Sequence, residues 1–248
     1  MKAAERQLRI RQMFESRDFL DVETLCRELH ASEASVRRDL AQLENNHVLK
    51  RVYGGAVPIP KAGDYAVETI RAGDEKHRIA RMAASLIEEG QTVILDGGTT
   101  VAAVATELAS KSIHVITNSL PIAEVLESFR NIELTLTGGY LDPRIRVMLG
   151  AFCEQMLGAI RADAVIMGIG SVSEAGFSNN NTLVVGSEKK MIEVASKVII
   201  VADHTKFGRG GMFNVAPLSA ADVVISDQDL SSDHIEMLRA HHIEVLLA

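Results

Sequence analysis

No stretch of this 248-residue sequence approaches the roughly 20 consecutive apolar residues that a bilayer-spanning helix needs. Its opening run, Met1-Lys2-Ala3-Ala4-Glu5-Arg6, does not read as a secretory leader. Both absences point to the cytoplasm. Cysteine is nearly missing: Cys26 and Cys153 lie far apart, and neither has metal-ligand spacing. Each sits in an apolar helical pattern, so a buried, reduced thiol is expected at both. No long-period repeat or low-complexity tract interrupts the chain. With 47% hydrophobic residues, the chain can hold one sizeable core and one small module.

The net charge of −7 is unevenly spread: residues 1–57 carry 10 Lys and Arg against 9 acidic residues, the remainder 16 against 24. Any contact with a polyanion must therefore come from a local patch near the N-terminus. Ser32-Glu33-Ala34-Ser35-Val36-Arg37-Arg38-Asp39-Leu40 reads as the start of a helix with Ser32 as N-cap. Val36 and Leu40 turn to a core, and Arg37 and Arg38 project to the other side. Permanently charged, planar guanidinium forks on a helix suit the major groove of duplex DNA.

The preceding residues support this reading. Asp21 is placed to cap a helix whose apolar stripe is Val22, Leu25 and Leu29. An earlier amphipathic helix carries Leu8, Met13 and Phe14, with Arg6, Arg9 and Arg11 on or near its wet side. A tight turn at His30-Ala31 completes a helix-turn-helix over about Leu20 to Asp39. Leu49–Val57, with Gly54-Gly55 at its turn, reads as a small β wing that brings Lys50, Arg51 and Tyr53 near the phosphate backbone. An Arg-Arg pair alone is more often a solvated face. Cap, turn spacing and basic wing agree with one another, so DNA contact is expected from Ser32, Ser35, Arg37, Arg38, Lys50, Arg51 and Tyr53. One such head neutralises few phosphates, which calls for a homodimer or homotetramer.

These residues resemble the winged helix-turn-helix of the DeoR family of bacterial transcription regulators. The pattern Ser-x-x-Thr-Val/Ile-Arg-Arg-Asp-Leu, then Leu-Glu, then Arg-x-His-Gly-Gly-Ala is matched from Ser32 to Ala56 with three departures. Ser35 replaces Thr, His47 stands where a Gly usually ends the reading helix, and Tyr53 replaces the His before the glycines.

Two prolines and a glycine in Pro58–Asp64 mark a linker, which gives domains at 1–57 and 74–248 joined by 58–73. Lys76–Glu89 reads as an amphipathic helix stopped by Gly90. Apolar runs then follow at Thr92–Leu95, Ile113–Thr117, Ile132–Thr137, Ala164–Gly168, Val198–Ala202, Val223–Ser226 and Ile243–Leu247. Helices are expected near 100–109, 121–129, 150–160, 185–196 and 231–241. Val/Ile runs spaced by helices indicate an α/β, Rossmann-like domain with a mostly parallel sheet covered on both faces.

In such a sheet, ligands sit beyond the carboxyl ends of the strands. Those ends carry Asp96-Gly97-Gly98-Thr99-Thr100, Thr117-Asn118-Ser119, Thr137-Gly138-Gly139, Gly168-Ile169-Gly170 and Asp203-His204-Thr205-Lys206. Glycines admit a ligand close to the backbone, and hydroxyls and amides bind its oxygens. Helix starts after Gly98 and Ser119 favour an anion, Asp96 and Asp203 suit hydroxyl groups, and Lys206 suits a phosphate. No aromatic side chain stands ready to stack on a base. The Gly-x-Gly-x-x-Gly fingerprint is missing, which argues against NAD, and no cofactor is expected. Any one of these turns alone is often only a tight connection; their recurrence at one sheet edge makes the site.

The same segments, with Glu75-Lys76 and Ile79-Ala80, resemble the DeoR-family sensor domain, which is similar in fold to ribose-5-phosphate isomerase. That resemblance implies a phosphorylated sugar or sugar acid as effector. It carries over to Asp96, Gly98, Thr99, Thr100, Asn118, Ser119, Gly138, Gly139, Gly168, Gly170, Asp203 and Lys206. Gly176–Asn181 and the helix with Glu188-Lys189-Lys190-Met191 follow the family only loosely; ligand identity is expected in that variable loop, together with Tyr140–Met148 after the third strand.

The expected activity is a DNA-binding regulator, a repressor of carbohydrate genes released from operator DNA by its effector. Two alternatives stand beside it: a sugar-phosphate isomerase with a DNA head, and a constitutive DNA-binding protein whose sheet merely dimerises. Catalysis would need Asp96, Asp203 and Lys206 as base and electrophile, and fold kinship does not bring activity. No catalytic residue is therefore expected. No metal site is expected either: His241-His242 ends a helix, and His204 beside Asp203 shows no third ligand.

Overall fold

A computed structural model describes residues 3–14, 20–45, 48–52, 54–58, 74–208 and 210–248. Tyr53, His47 and residues 59–73 of the expected linker lie outside the described residues, whereas Pro58, its expected first residue, belongs to a strand. The chain divides into two compact units, Met1–Asp64 and Tyr65–Ala248.

The first unit contains α1 (Ala3–Met13), β1 (Leu20–Asp21), α2 (Val22–Leu29), α3 (Glu33–Asn45), β2 (Leu49–Val52) and β3 (Gly55–Pro58). Asp21 caps α2, its Oδ1 accepting from Thr24 N at 2.7 Å. The helix stops at His30, whose φ of 47° and ψ of 47° is left-handed and turns the chain toward α3. β2 and β3 form the expected wing, and Leu20 pairs with Ala56, so β1 adds a third strand, in the order β1-β3-β2. The core holds Ile10, Leu25, Leu29, Val36, Leu40, Leu43 and Leu49.

The first helix is phased differently from its sequence reading. Leu8 is 58% exposed and Ile10 is fully buried, so the inward stripe runs through Ile10 and the half-buried Met13. Arg6 is not on the wet side: its Nε donates to Asp39 Oδ2 at 2.7 Å, with only 15% of the side chain exposed. Gln7 Nε2 adds a bond to Asp39 Oδ1 at 3.3 Å. These contacts fasten α1 to α3 by way of a carboxylate that has left solvent almost completely.

The second unit begins with α4 (Asp74–Ser85). It ends before Glu89 because the last turn tightens: Leu86 N bonds Ala83 O and Ile87 N bonds Ala84 O. A seven-stranded parallel sheet follows, formed by β4 (Thr92–Leu95), β5 (Ile113–Thr117), β6 (Ile132–Leu136), β9 (Ala164–Met167), β12 (Val198–Val201), β14 (Val223–Ser226) and β15 (Glu244–Leu247). Side chains alternate between two cores. Val93, Leu95 and Ile166 pack against α4, α5 (Thr99–Leu108) and α6 (Leu120–Leu126). Ile94, Val165 and Met167 pack against α7 (Ala151–Gly158), α8 (Thr182–Val194) and α9 (Ser232–Ala240). The helix ends differ from expectation by a few residues, the usual fraying range.

Strand order is β15-β14-β12-β9-β4-β5-β6. From β4 the chain runs outward through β5 and β6, then returns to place β9 on the other side of β4 and continues away. The reversal between β4 and β9 opens a crevice at their carboxyl ends.

Two small antiparallel pieces were not expected from sequence. A hairpin of β7 (Tyr140–Asp142) and β8 (Val147–Leu149) occupies the segment after β6. A three-stranded sheet joins β10 (Ser171–Ser173), β11 (Gly176–Asn179) and β13 (Phe213–Ala216). No described helix is long and apolar enough to cross a membrane. Cys153 is buried as expected, whereas Cys26 is only half-buried.

Candidate functional site

In the first unit, α3 presents the residues proposed to meet a groove. Ser32 Oγ lies 3.4 Å from Ser35 N and 3.0 Å from Ser35 Oγ, a capping arrangement at the helix start. Arg37 and Arg38 are exposed while Val36 and Leu40 on the same helix are buried. Arg37 is folded back on Glu33, its NH2 2.6 Å from Oε1, in an exposed pair one turn apart. Such a pair is weak in water and can be exchanged for a phosphate or base edge. Arg38 has no such partner among the described residues. In the wing, Arg51 donates from Nε to Glu44 Oε2 at 2.6 Å and from its backbone to Glu44 Oε1 at 2.9 Å. The wing is thus fastened to the end of α3 through one of the residues expected to touch phosphate. Lys50 lies on β2.

In the second unit, the crevice between β4 and β9 contains a cavity of about 320 Å³. Asp96, Gly98, Thr99, Thr100, Gly168, Gly170, Asp203 and Lys206 all line it. The segments after β4, β9 and β12 therefore converge, as the strand-end argument expects. Gly98 stands at the N-cap of α5 with φ 133°, a backbone conformation that side chains rarely adopt. The helix start beyond it gives the cavity an electropositive edge. Lys76 at the start of α4 reaches the same edge, its Nζ 3.1 Å from Thr99 Oγ1.

Asn118, Ser119, Gly138 and Gly139 lie outside this lining. The unexpected hairpin explains their position. Met148 N donates to Asn118 O at 2.7 Å and Leu120 N to Arg146 O at 3.0 Å, so β8 covers the carboxyl end of β5. Ser119 Oγ caps α6, accepting from Ile122 N at 3.5 Å. Gly139 lies against Leu149: a Cβ there would sit 2.6 Å from the Leu149 carbonyl oxygen.

Ile145 and Val147 from the hairpin, and Asn179 and Asn181, fall in the two segments expected to carry ligand identity; Val184 and Glu188 from α8 also line the cavity and were not among the expected site residues. Glu188 is the most consequential. It is 1% exposed, and its Oε1 accepts from Asn179 Nδ2 at 2.9 Å. Burial, and then the nearby charge of Asp96, push its carboxyl up to about 8; the Asn179 bond acts in the opposite direction. Asp96 is 5% exposed, and burial pushes it up to about 7, opposed by the Gly97 backbone N–H and by Asn118. The Asn118 amide lies near Asp96, but neither amide atom meets hydrogen-bond geometry with a described partner.

Asp203 lines the cavity yet is partly committed: its Oδ1 accepts from Thr205 N at 3.1 Å and from the Thr205 hydroxyl. His204 is grouped with acidic residues other than Asp203. His204, Asp227 and Asp229 offer ligand atoms all within 4.8 Å of one another. Hydrogen bonding already accounts for much of this grouping. Asp227 accepts from His204 N at 2.7 Å and pairs with its Nδ1 at 2.8 Å. That side-chain bond raises the imidazole above its ordinary value.

A model of the DeoR-like helix-turn-helix domain matches residues 6–62, and one of the DeoR C terminal sensor domain matches residues 71–228. The HTH-type transcriptional repressor GlcR of Bacillus subtilis is 33% identical, covering 100% of this chain and 97% of its own. The glycerol-3-phosphate regulon repressor of Escherichia coli is 31% identical, with 100% of both chains covered. A putative aga operon transcriptional repressor of Escherichia coli O157:H7 is 31% identical over 98% of this chain and 93% of its own. Among solved structures, ribose 5-phosphate isomerase A of Methanocaldococcus jannaschii superposes with a TM-score of 0.40 and 18% identity, over 54% of this chain and 53% of that one. eIF2B beta of Chaetomium thermophilum gives 0.44 and 14%, over 85% and 60%.

Proposed function

Because this chain belongs to the DeoR family of DNA-binding transcription regulators, we propose that it represses carbohydrate-metabolism genes and leaves its operator when a phosphorylated sugar or sugar acid fills the β4–β9 cavity. The observation that carries the reading is the convergence of Gly98, Thr99, Thr100 and Lys206 on one cavity in a chain that also presents Arg37 and Arg38 on an exposed helix face. Hydroxyls, a helix start and a lysine are groups that hold a phosphate ester. One relative supports a phosphate ester through its name, a glycerol-3-phosphate regulon repressor. All the relatives named above are regulators, which does not favour the isomerase alternative.

In this reading residues 1–57 read DNA, 58–73 connect, and 74–248 sense the effector and hold a homodimer or homotetramer together. The effector acts through its different affinity for the operator-bound and released arrangements of the subunits. The protein works in the compartment that holds the DNA, the cytoplasm. A thermal-shift screen over sugar phosphates tests the sensor assignment: a hit raises Tm by mass action. The same hit should shift Lys206→Ala far less. No stabilisation by any phosphorylated sugar or sugar acid would remove the assignment.

A further inference from the structure

The cavity lining carries groups of both signs. Lys206 and the start of α5 are suited to a phosphate. Asp96 and Glu188 bring two carboxyl groups near each other and away from solvent. Neither forms an ion pair with a described Lys or Arg. Glu188 Oε2 is buried with no hydrogen-bond partner among the described residues, and so are both amide atoms of Asn118. An unpartnered carboxylate oxygen lining a cavity is costly to keep in an empty protein and is explained by a donor that arrives with the ligand.

We propose, building on the sensor reading above, that the effector is a phosphorylated amino sugar whose ammonium group is held by Glu188 and Asp96 while Lys206 and the start of α5 hold the phosphate. A neutral hydroxyl supplies one donor and brings no opposite charge to the buried pair. A primary ammonium supplies three donors and the opposite charge. Burial raises the proton affinity of both carboxyls, so their ionised forms lack compensation that a cationic donor beside them would supply. A bare divalent cation is a poorer fit because it needs a fuller shell of oxygen ligands than this pair provides.

The test is calorimetric titration of the full chain at neutral pH with matched ligands: glucosamine 6-phosphate against glucose 6-phosphate, and galactosamine 6-phosphate against galactose 6-phosphate. In at least one pair the amino member should bind about tenfold tighter or more, the scale of one buried charge pair. Glu188→Gln should narrow that preference to within about threefold, since it keeps the Asn179 contact but loses the charge. The comparison on the unaltered protein stands even where the variant does not fold. Equal or weaker binding of the amino sugars overturns the proposal, as does a folded Glu188→Gln protein that keeps the preference. Binding of Mg²⁺ alone that is lost in Glu188→Gln, without an amine preference, overturns it in favour of a metal site. If neutral sugar phosphates bind and Lys206→Ala weakens them, only the amine assignment fails. If no phosphorylated sugar binds, the sensor reading fails with it.

Discussion

Replacing Glu188 by Gln should change how the stability of the ligand-free protein responds to pH. In the unfolded chain this carboxyl ionises near its ordinary value of 4.5, whereas in the fold it is pushed up to about 8. Below about pH 4.5 both states are protonated and the carboxyl contributes no pH dependence. Between there and pH 8 the folded state keeps a proton that the unfolded state has released, so stability falls as pH rises. Above pH 8 the loss is complete and constant. Each pH unit of displacement corresponds to about 1.4 kcal/mol, which sets an upper bound near 5 kcal/mol. Asp96 titrates with Glu188 as a pair, and water entering the cavity relieves part of the cost, so a loss of about 2–4 kcal/mol is expected.

Gln is close to isosteric, accepts the same Asn179 bond and does not titrate. Its protein should therefore lose less stability over this range, and the difference in Tm should widen by roughly 5–15 °C between pH 5 and pH 9, given about 2–4 °C per kcal/mol at this chain length. Thermal unfolding followed by circular dichroism in matched buffers reads this directly. Parallel Tm profiles for the two proteins would show that Glu188 is hydrated or neutralised, contrary to its burial.

Three further outcomes follow from the contacts described. Arg38→Ala should weaken specific operator binding by about 1–3 kcal/mol, the scale of one bidentate base contact, while moving Tm by less than about 1 °C; fluorescence anisotropy with unchanged affinity would remove Arg38 from the reading face. Asp39→Ala should destabilise the N-terminal unit by about 1–3 kcal/mol, because it strips Arg6 and Gln7 of their common acceptor; an unaltered urea midpoint would show that the contact contributes nothing. Lys206→Ala should raise the effector concentration needed for half-release from DNA by about tenfold or more, as loss of one charge-assisted phosphate contact requires; an identical release curve would take the lysine out of the site.

The parallel sheet was legible because its strands are short runs of Val and Ile separated by helices, a pattern that only burial on both faces explains. The convergence at Asp96, Gly168 and Asp203 followed from the rule that places ligands at strand ends, before any strand order was known. What escaped was built from polar or short pieces. β10 and β11 are rich in Ser, Gly and Asn, and lack the alternation that marks a strand. The phase of α1 was misread because Leu8 is the more obvious apolar residue, whereas the fold turns Ile10 inward. Glu188 precedes Lys189-Lys190 and passes for part of a solvated face. The available signal was its spacing: Val185, Glu188 and Met191 recur every three residues, which puts a carboxylate on the buried stripe of α8. The Asn118 and Gly139 positions could not be read, because the hairpin that covers them has no regular pattern of its own.

The most direct measurement is equilibrium binding of the full chain to a fluorescent fragment of a candidate promoter, titrated in salt with and without sugar phosphates. Affinity should fall steeply as salt rises, exceed that for a scrambled fragment, and drop again when a phosphorylated sugar is added. Equal affinity for promoter and scrambled DNA, unmoved by any such ligand, would contradict the account.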